Sequence, residues 1–104
     1  MTNEEWAIEI QAGRAGYGKL WEQVHKFIRQ QAHRYFTLHA GTCAHAGVEL
    51  DDLTQCGFMA LQDAVRAYRP ESGYSLLSYI KYPLLKHFRA ACGIRTTRRD
   101  PLNN

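Results

Sequence analysis

The sequence predicts an all-α domain, a compact bundle of three main helices preceded by a short one. Apolar residues recur at three- and four-residue spacing over three long segments. No segment alternates polar and apolar residues as a half-buried strand would. At 104 residues the chain is long enough for one domain with its own core. That domain is expected over residues 1–94, with a polar tail or the start of a linker over 95–104.

The first helix is expected from about Asn3 to Gln11. Asn3 would serve as its cap, and Glu4 and Glu5 place carboxylates at the positive end of the helix dipole. "AGRAGYG" then breaks it with three glycines. A second helix should run from about Gly18 to Leu38. Leu20, Val24, Phe27, Gln31 and Tyr35 form one helical row, and Trp21, Ile28, Ala32 and Tyr35 form its neighbour. "HAGTCAHAG" reads as a glycine-bounded loop. Its His39, Cys43 and His45 match no common zinc spacing, so neither a metal nor another cofactor is expected.

The third helix should span about Leu50 to Tyr68. Its inward face holds Leu53, Cys56, Gly57, Ala60, Leu61, Ala64, Val65 and Tyr68, and the small residues among them would let another helix approach closely. The opposite face carries Asp52, Gln55, Met59, Gln62 and Arg66, with Phe58 at its margin. Read from the residues alone, this face is either a docking strip or an ordinary solvated surface. "RPESG" is a turn, with Pro70 and Gly73 supplying its backbone angles.

The fourth helix should follow from about Ser75 to Ala91. Leu77, Ile80, Leu84, Phe88 and Ala91 cluster within roughly 80° of arc at 100° per residue. Tyr79, Tyr82, Lys86 and Arg89 gather on the far side, where Glu, Lys and Gln usually stand. Aromatic faces stack on unpaired bases while neighbouring cations hold phosphates, so the pattern suits single-stranded nucleic acid. The competing reading has both tyrosines partly buried against a neighbouring helix. Pro83 interrupts this helix and predicts a kink or a local restart, because its nitrogen cannot bond the Tyr79 carbonyl.

Charge supports the nucleic-acid reading. From Lys81 to Arg99 there are six Lys or Arg and no Asp or Glu, whereas the first eighty residues hold seven basic and nine acidic side chains. The three cysteines show no paired spacing, which favours reduced thiols over a disulfide framework. No apolar run reaches the roughly 18 residues of a membrane span. "MTNEEWAIEI" carries acid where a secretory signal carries base, so a cytoplasmic protein without membrane contact is expected. No acid/base pair, nucleophile elbow or phosphate loop marks an enzyme.

From Asp51 to Arg89 the chain, "DDLTQCGFMALQDAVRAYRPESGYSLLSYIKYPLLKHFR", resembles region 2 of bacterial RNA polymerase sigma factors. Asp52-Leu53, Gln55, Gly57, Leu61, Ala64-Val65, Tyr68, Gly73-Tyr74 and Ser78-Tyr79 stand in the family's register. The preceding "LWEQVHKFIRQQAHRYF" is similar to the family's first region 2 helix, so the likeness covers about Leu20 to Arg89. The resemblance implies a non-catalytic specificity subunit in transcription initiation. Its docking positions on the clamp coiled coil of core RNA polymerase would be Asp52, Gln55, Phe58, Met59 and Gln62. Its positions facing the −10 element of promoter DNA, where an adenine is flipped and the non-template strand held, would be Leu76, Ser78, Tyr79, Tyr82, Lys86 and Arg89. An anti-sigma factor is a candidate further partner.

Three residues depart from the family pattern. Cys56 replaces the usual Glu, Pro83 replaces the second of two aromatics, and Leu76 replaces an aromatic that commonly contacts the single strand. Promoter melting should then be weaker, or depend on a different promoter sequence, than for a housekeeping sigma factor. The ending "RRDPLNN" reads as the beginning of a linker, and the chain as an N-terminal fragment. The rival reading, sustained by Cys56 and Pro83, is a helical protein-interaction regulator that shares these helices without melting DNA.

Overall fold

A computed structural model describes residues 1–93. The expected domain end at residue 94 and the tail over 95–104 lie outside the described residues. Five α-helices follow in order: α1 (Asn3–Gln11), α2 (Gly18–Leu38), α3 (Ala40–Ala46), α4 (Leu50–Ala67) and α5 (Leu76–Ala91). A 3₁₀ turn at Pro70–Ser72 joins the last two, and no strand occurs among the described residues. The short connection makes α4 and α5 close neighbours, α2 packs chiefly on α4, and α1 touches α2, α4 and α5.

Local chemistry explains most boundaries. Thr2, not Asn3, caps α1: its Oγ1 accepts from the Glu5 amide at 3.0 Å, and Glu5 Oε1 accepts from the Thr2 amide at 2.7 Å. Asn3 instead accepts from Gln23 Nε2 at 2.9 Å, tying α1 to α2. The Asp52 carboxylate accepts from the Glu49 amide at 2.7 Å and closes the start of α4. Ser75 caps α5 by accepting from the Ser78 amide.

"HAGTCAHAG" is not a loop but contains α3, which ends on Gly47 in the left-handed region at φ 71°. Helix-favouring alanines form it, and Cys43 is its single buried residue, so the segment carries no apolar periodicity to reveal it. Of the kink or local restart expected at Pro83, the restart does not occur, for α5 runs through Pro83 as one element. Ile80, Leu84 and Phe88 lie buried on both sides of the proline. Each such side chain contributes about 1.5–3 kcal/mol on burial, against about 3 kcal/mol for an interior proline, so the stripe carries the helix through the lost bond.

The core lies where α2, α4 and α5 meet. Leu20, Val24 and Ile28 from α2, Leu53, Leu61 and Val65 from α4, and Leu76, Ile80 and Leu84 from α5 are all buried. The α2–α4 contact is closest at Gly57, where an added Cβ would stand 2.2 Å from Ile28 Cγ2. Cys56, expected inside, is only half-buried. Ala7 is the one fully buried residue of α1 and anchors that short helix on the bundle.

Candidate nucleic-acid interface and docking strip

The turn between α4 and α5 is held by α1 from outside. Gln11 Nε2 donates to the carbonyls of Val65 at 2.7 Å and Tyr68 at 2.8 Å, satisfying acceptors at the end of α4. Glu4 Oε2 accepts from the Leu76 amide at 2.8 Å, satisfying a donor at the start of α5. Gly73 at φ 81° completes the reversal, in a region that suits glycine. One short helix thus fixes where α5 begins relative to where α4 ends.

An open groove of about 720 Å³ lies between those two helices. Ala64 and Ala67 of α4 line one side, and Ser78, Tyr79, Tyr82, Pro83 and Lys86 of α5 line the other, with Tyr74 and Asp63 completing the lining. The small α4 side chains leave the room, and the aromatics of α5 supply flat walls. Tyr79 is half-buried and meets buried Tyr68 edge-on, with ring centroids 5.3 Å apart at 77°. Burial, and after it the charge of Glu4, pushes the Tyr68 hydroxyl pKa up. Tyr82 is 77% exposed. The two tyrosines therefore differ: one is pinned by a neighbour, and the other is free to meet a ligand face-on.

The groove gathers Ser78, Tyr79, Tyr82 and Lys86 of the expected DNA-facing set, but not all of it. Leu76 is fully buried. It continues the row of Ile80 and Leu84 at four-residue spacing into the core, so its side chain cannot face DNA and the assignment is corrected. Arg89 is exposed one turn beyond Lys86 and does not line the groove. It stands close enough to Tyr35 of α2 to oppose the rise that burial, Cys92 and Cys43 impose on that hydroxyl pKa.

Asp63 links the two sides of the groove. Its Oδ2 lies 2.7 Å from His87 Nε2 on α5, and its Oδ1 bonds Arg66. The hydrogen bond from His87, ahead of the charges of His87, Arg66 and Lys86, holds the Asp63 carboxyl below the usual range. Sequence reasoning missed Asp63, Tyr74 and the α1 clamp. The clamp has no local signal, because its bonds join residues 54 to 72 positions apart.

The expected docking positions stay on the outer side of α4. Asp52 and Gln55 are exposed, Phe58 and Met59 are 38% and 46% exposed, and Gln62 is half-buried. Asp52 also closes the helix start, so it is not free for a partner alone. Phe58 rests edge-on against Tyr17 at 5.7 Å and Trp21 at 5.5 Å, two supports the sequence reading did not identify. Between these positions the Cys56 thiol pKa is raised, first by burial and then by the Asp52 charge. The strip is a ridge of partly exposed apolar groups flanked by amides and a carboxylate, which suits protein contact.

No helix among the described residues is long and apolar enough to cross a membrane. No curated protein and no solved structure matches the chain. A family model for sigma-70 region 2 matches residues 20–90, which takes in α2 through nearly all of α5 and more than half of the chain. This all-α chain therefore belongs to the sigma-70 region 2 family, the non-enzymatic transcription-factor domain whose role is sigma-factor-like promoter recognition.

Proposed function

We propose that the domain docks on the clamp coiled coil of core RNA polymerase through Gln55, Phe58, Met59 and Gln62, with Asp52 at the edge of the contact. In the same complex Tyr79, Tyr82, Ser78 and Lys86 take a base of the −10 element that has left the duplex, and Arg89 meets the backbone beyond. The single observation that carries this reading is the groove beside Tyr82. It is lined by exposed aromatics and a cation, and two small alanines leave it open. A splayed base stacks on such a surface for about 1–3 kcal/mol, and cations beside it hold phosphates.

The test is a titration of core polymerase plus this protein against a forked −10 probe at several salt concentrations. Lys86→Ala with Arg89→Ala should reduce the slope of log affinity against log salt by about 1.4–1.8 if both meet phosphates. Tyr82→Ala should weaken binding about 5- to 150-fold, the equivalent of one stacked base, at every salt concentration. An unchanged slope together with unchanged affinity for Tyr82→Ala would remove DNA from this face. It would favour a regulator that binds protein without melting the promoter.

A further inference from the structure

We propose that Cys43 and Cys92 form a reversible disulfide, a redox modification site that ties α3 to the end of α5. The sulfurs already touch, with Sγ to Sγ at 3.6 Å, and both residues are buried. A disulfide needs about 2.05 Å, so each sulfur has to move by less than about 1 Å. Among the described residues no hydrogen-bond partner other than the opposite thiol is found for either sulfur. Cys56 is near enough for its charge to bear on Cys92, but it does not touch it and stays half-buried on α4.

Placement gives the bond a consequence. Cys43 is the one buried residue of α3, and Cys92 stands at the C-terminal cap of α5, just past Arg89. The partners lie 49 positions apart. The closed loop would enclose all of α4 and α5, and with them the docking strip and the groove. The bond would therefore restrict the unfolded chain in the part that carries both surfaces.

The chemistry balances with a small-molecule disulfide such as oxidised glutathione. One cysteine thiolate attacks it, forming a mixed disulfide and releasing one glutathione thiolate. The second cysteine thiolate then attacks the protein-side sulfur, forms the Cys43–Cys92 bond and expels the other glutathione. The protein loses two electrons and two protons, and two glutathione thiols are the reduced product. Burial, and next the hydrogen bond with Cys43, pushes the Cys92 thiol up to about 11. The closed pair is therefore slow to react at neutral pH, and the reaction is gated by opening of α3. That helix has seven residues and no side-chain cap, which makes such opening accessible.

The experiment incubates the full chain with oxidised glutathione from pH 7 to 9, then counts thiols under denaturing conditions and maps the peptides. The expected product is a monomer with one free thiol, a Cys43–Cys92 link, a mass lower by about 2 Da, and a formation rate that climbs with pH. Its Tm should rise by at least about 5 °C, and reduction should reverse the shift. Cys56→Ser should still form the link and retain no free thiol, which keeps the test independent of how Cys43 or Cys92 variants fold. The proposal is overturned if Cys43 and Cys92 stay reduced at pH 9. It is equally overturned if the linked product is Cys56–Cys92 or an intermolecular dimer.

Discussion

Gly57→Ala should destabilise the domain, although alanine is the better helix former. Replacing an interior helix glycine with alanine ordinarily gains about 0.5–1 kcal/mol. Here the new methyl would stand 2.2 Å from Ile28 Cγ2, well inside the roughly 3.5–4.0 Å of a favourable carbon contact. Ile28 is fully buried and β-branched, so its Cγ2 has no alternative well to swing into. The strain must separate α2 from α4, and overpacking of this kind costs about 1–3 kcal/mol. The depth of the overlap puts the cost in the upper part of that range, about 2–3 kcal/mol, so a net loss of about 1–2.5 kcal/mol is expected in urea denaturation with an unchanged m-value, out of a total of about 5–15 kcal/mol.

A double-mutant cycle isolates the contact. Ile28→Ala alone should cost about 2–5 kcal/mol, since it empties a fully buried site. In that background Gly57→Ala should become neutral or stabilising, because the clashing methyl is gone and the propensity gain remains. The coupling should exceed about 1 kcal/mol. If Gly57→Ala is neutral or stabilising in the otherwise native chain, the α2–α4 distance is not set at this glycine.

Three further outcomes are expected. Gln11→Ala removes both side-chain bonds to the end of α4 and should cost about 1–3 kcal/mol in chemical denaturation, although Gln11 contributes nothing to the buried core. Asp63 has a carboxyl pKa below its unfolded value, so its contribution is present above the ordinary carboxylate range, near pH ~3.9, and is lost as pH falls through the depressed value. Asp63→Asn should therefore flatten the acid side of the stability profile, and a profile parallel to that of the native chain would refute the His87 contact. Met59→Glu should leave Tm within about 1 °C, since the side chain is 46% exposed. In a pull-down it should lower core-polymerase binding at least about tenfold, as expected when a charge enters an apolar contact; unchanged capture would misplace the docking strip.

The parts of this fold that could be read from sequence are those whose cause is local. α2 occupies Gly18–Leu38 as its glycine start and long apolar stripe imply, and α5 follows its row of Ile80, Leu84 and Phe88. α3 escaped because a seven-residue helix with one buried side chain has no period to detect. Leu76 was misplaced for a different reason. It was assigned to DNA through the family resemblance, whereas its four-residue spacing from Ile80 and Leu84 continues the buried row of α5. The Glu4 carboxylate of α1 accepts from the Leu76 amide and fixes the start of that row, a contact 72 positions away in sequence. The Phe58 supports were hidden in the same way, because Tyr17 and Trp21 belong to the entry of α2 and meet α4 only in the folded chain.

The small residues of α4 show how far one sequence signal reaches. Gly57, Ala60 and Ala64 imply close approach of another helix, and at Gly57 that is what the bundle contains. Further along the same helix, smallness has the opposite result: Ala64 and Ala67 border a groove. The difference lies in what stands opposite. Ile28 projects toward Gly57 and fills the space the missing side chain leaves. On the α5 side Tyr79 leans onto Tyr68, and Tyr82 points out into solvent, so the space beside the alanines stays open. A larger residue at Ala67, such as leucine, would fill that space at little cost to the core, because Ala67 is exposed. Ala67→Leu should accordingly lower affinity for the forked probe while leaving urea stability within about 0.5 kcal/mol. Unaltered binding with a filled groove would mean that Tyr82 and Lys86 act from the surface and that no base enters between the helices.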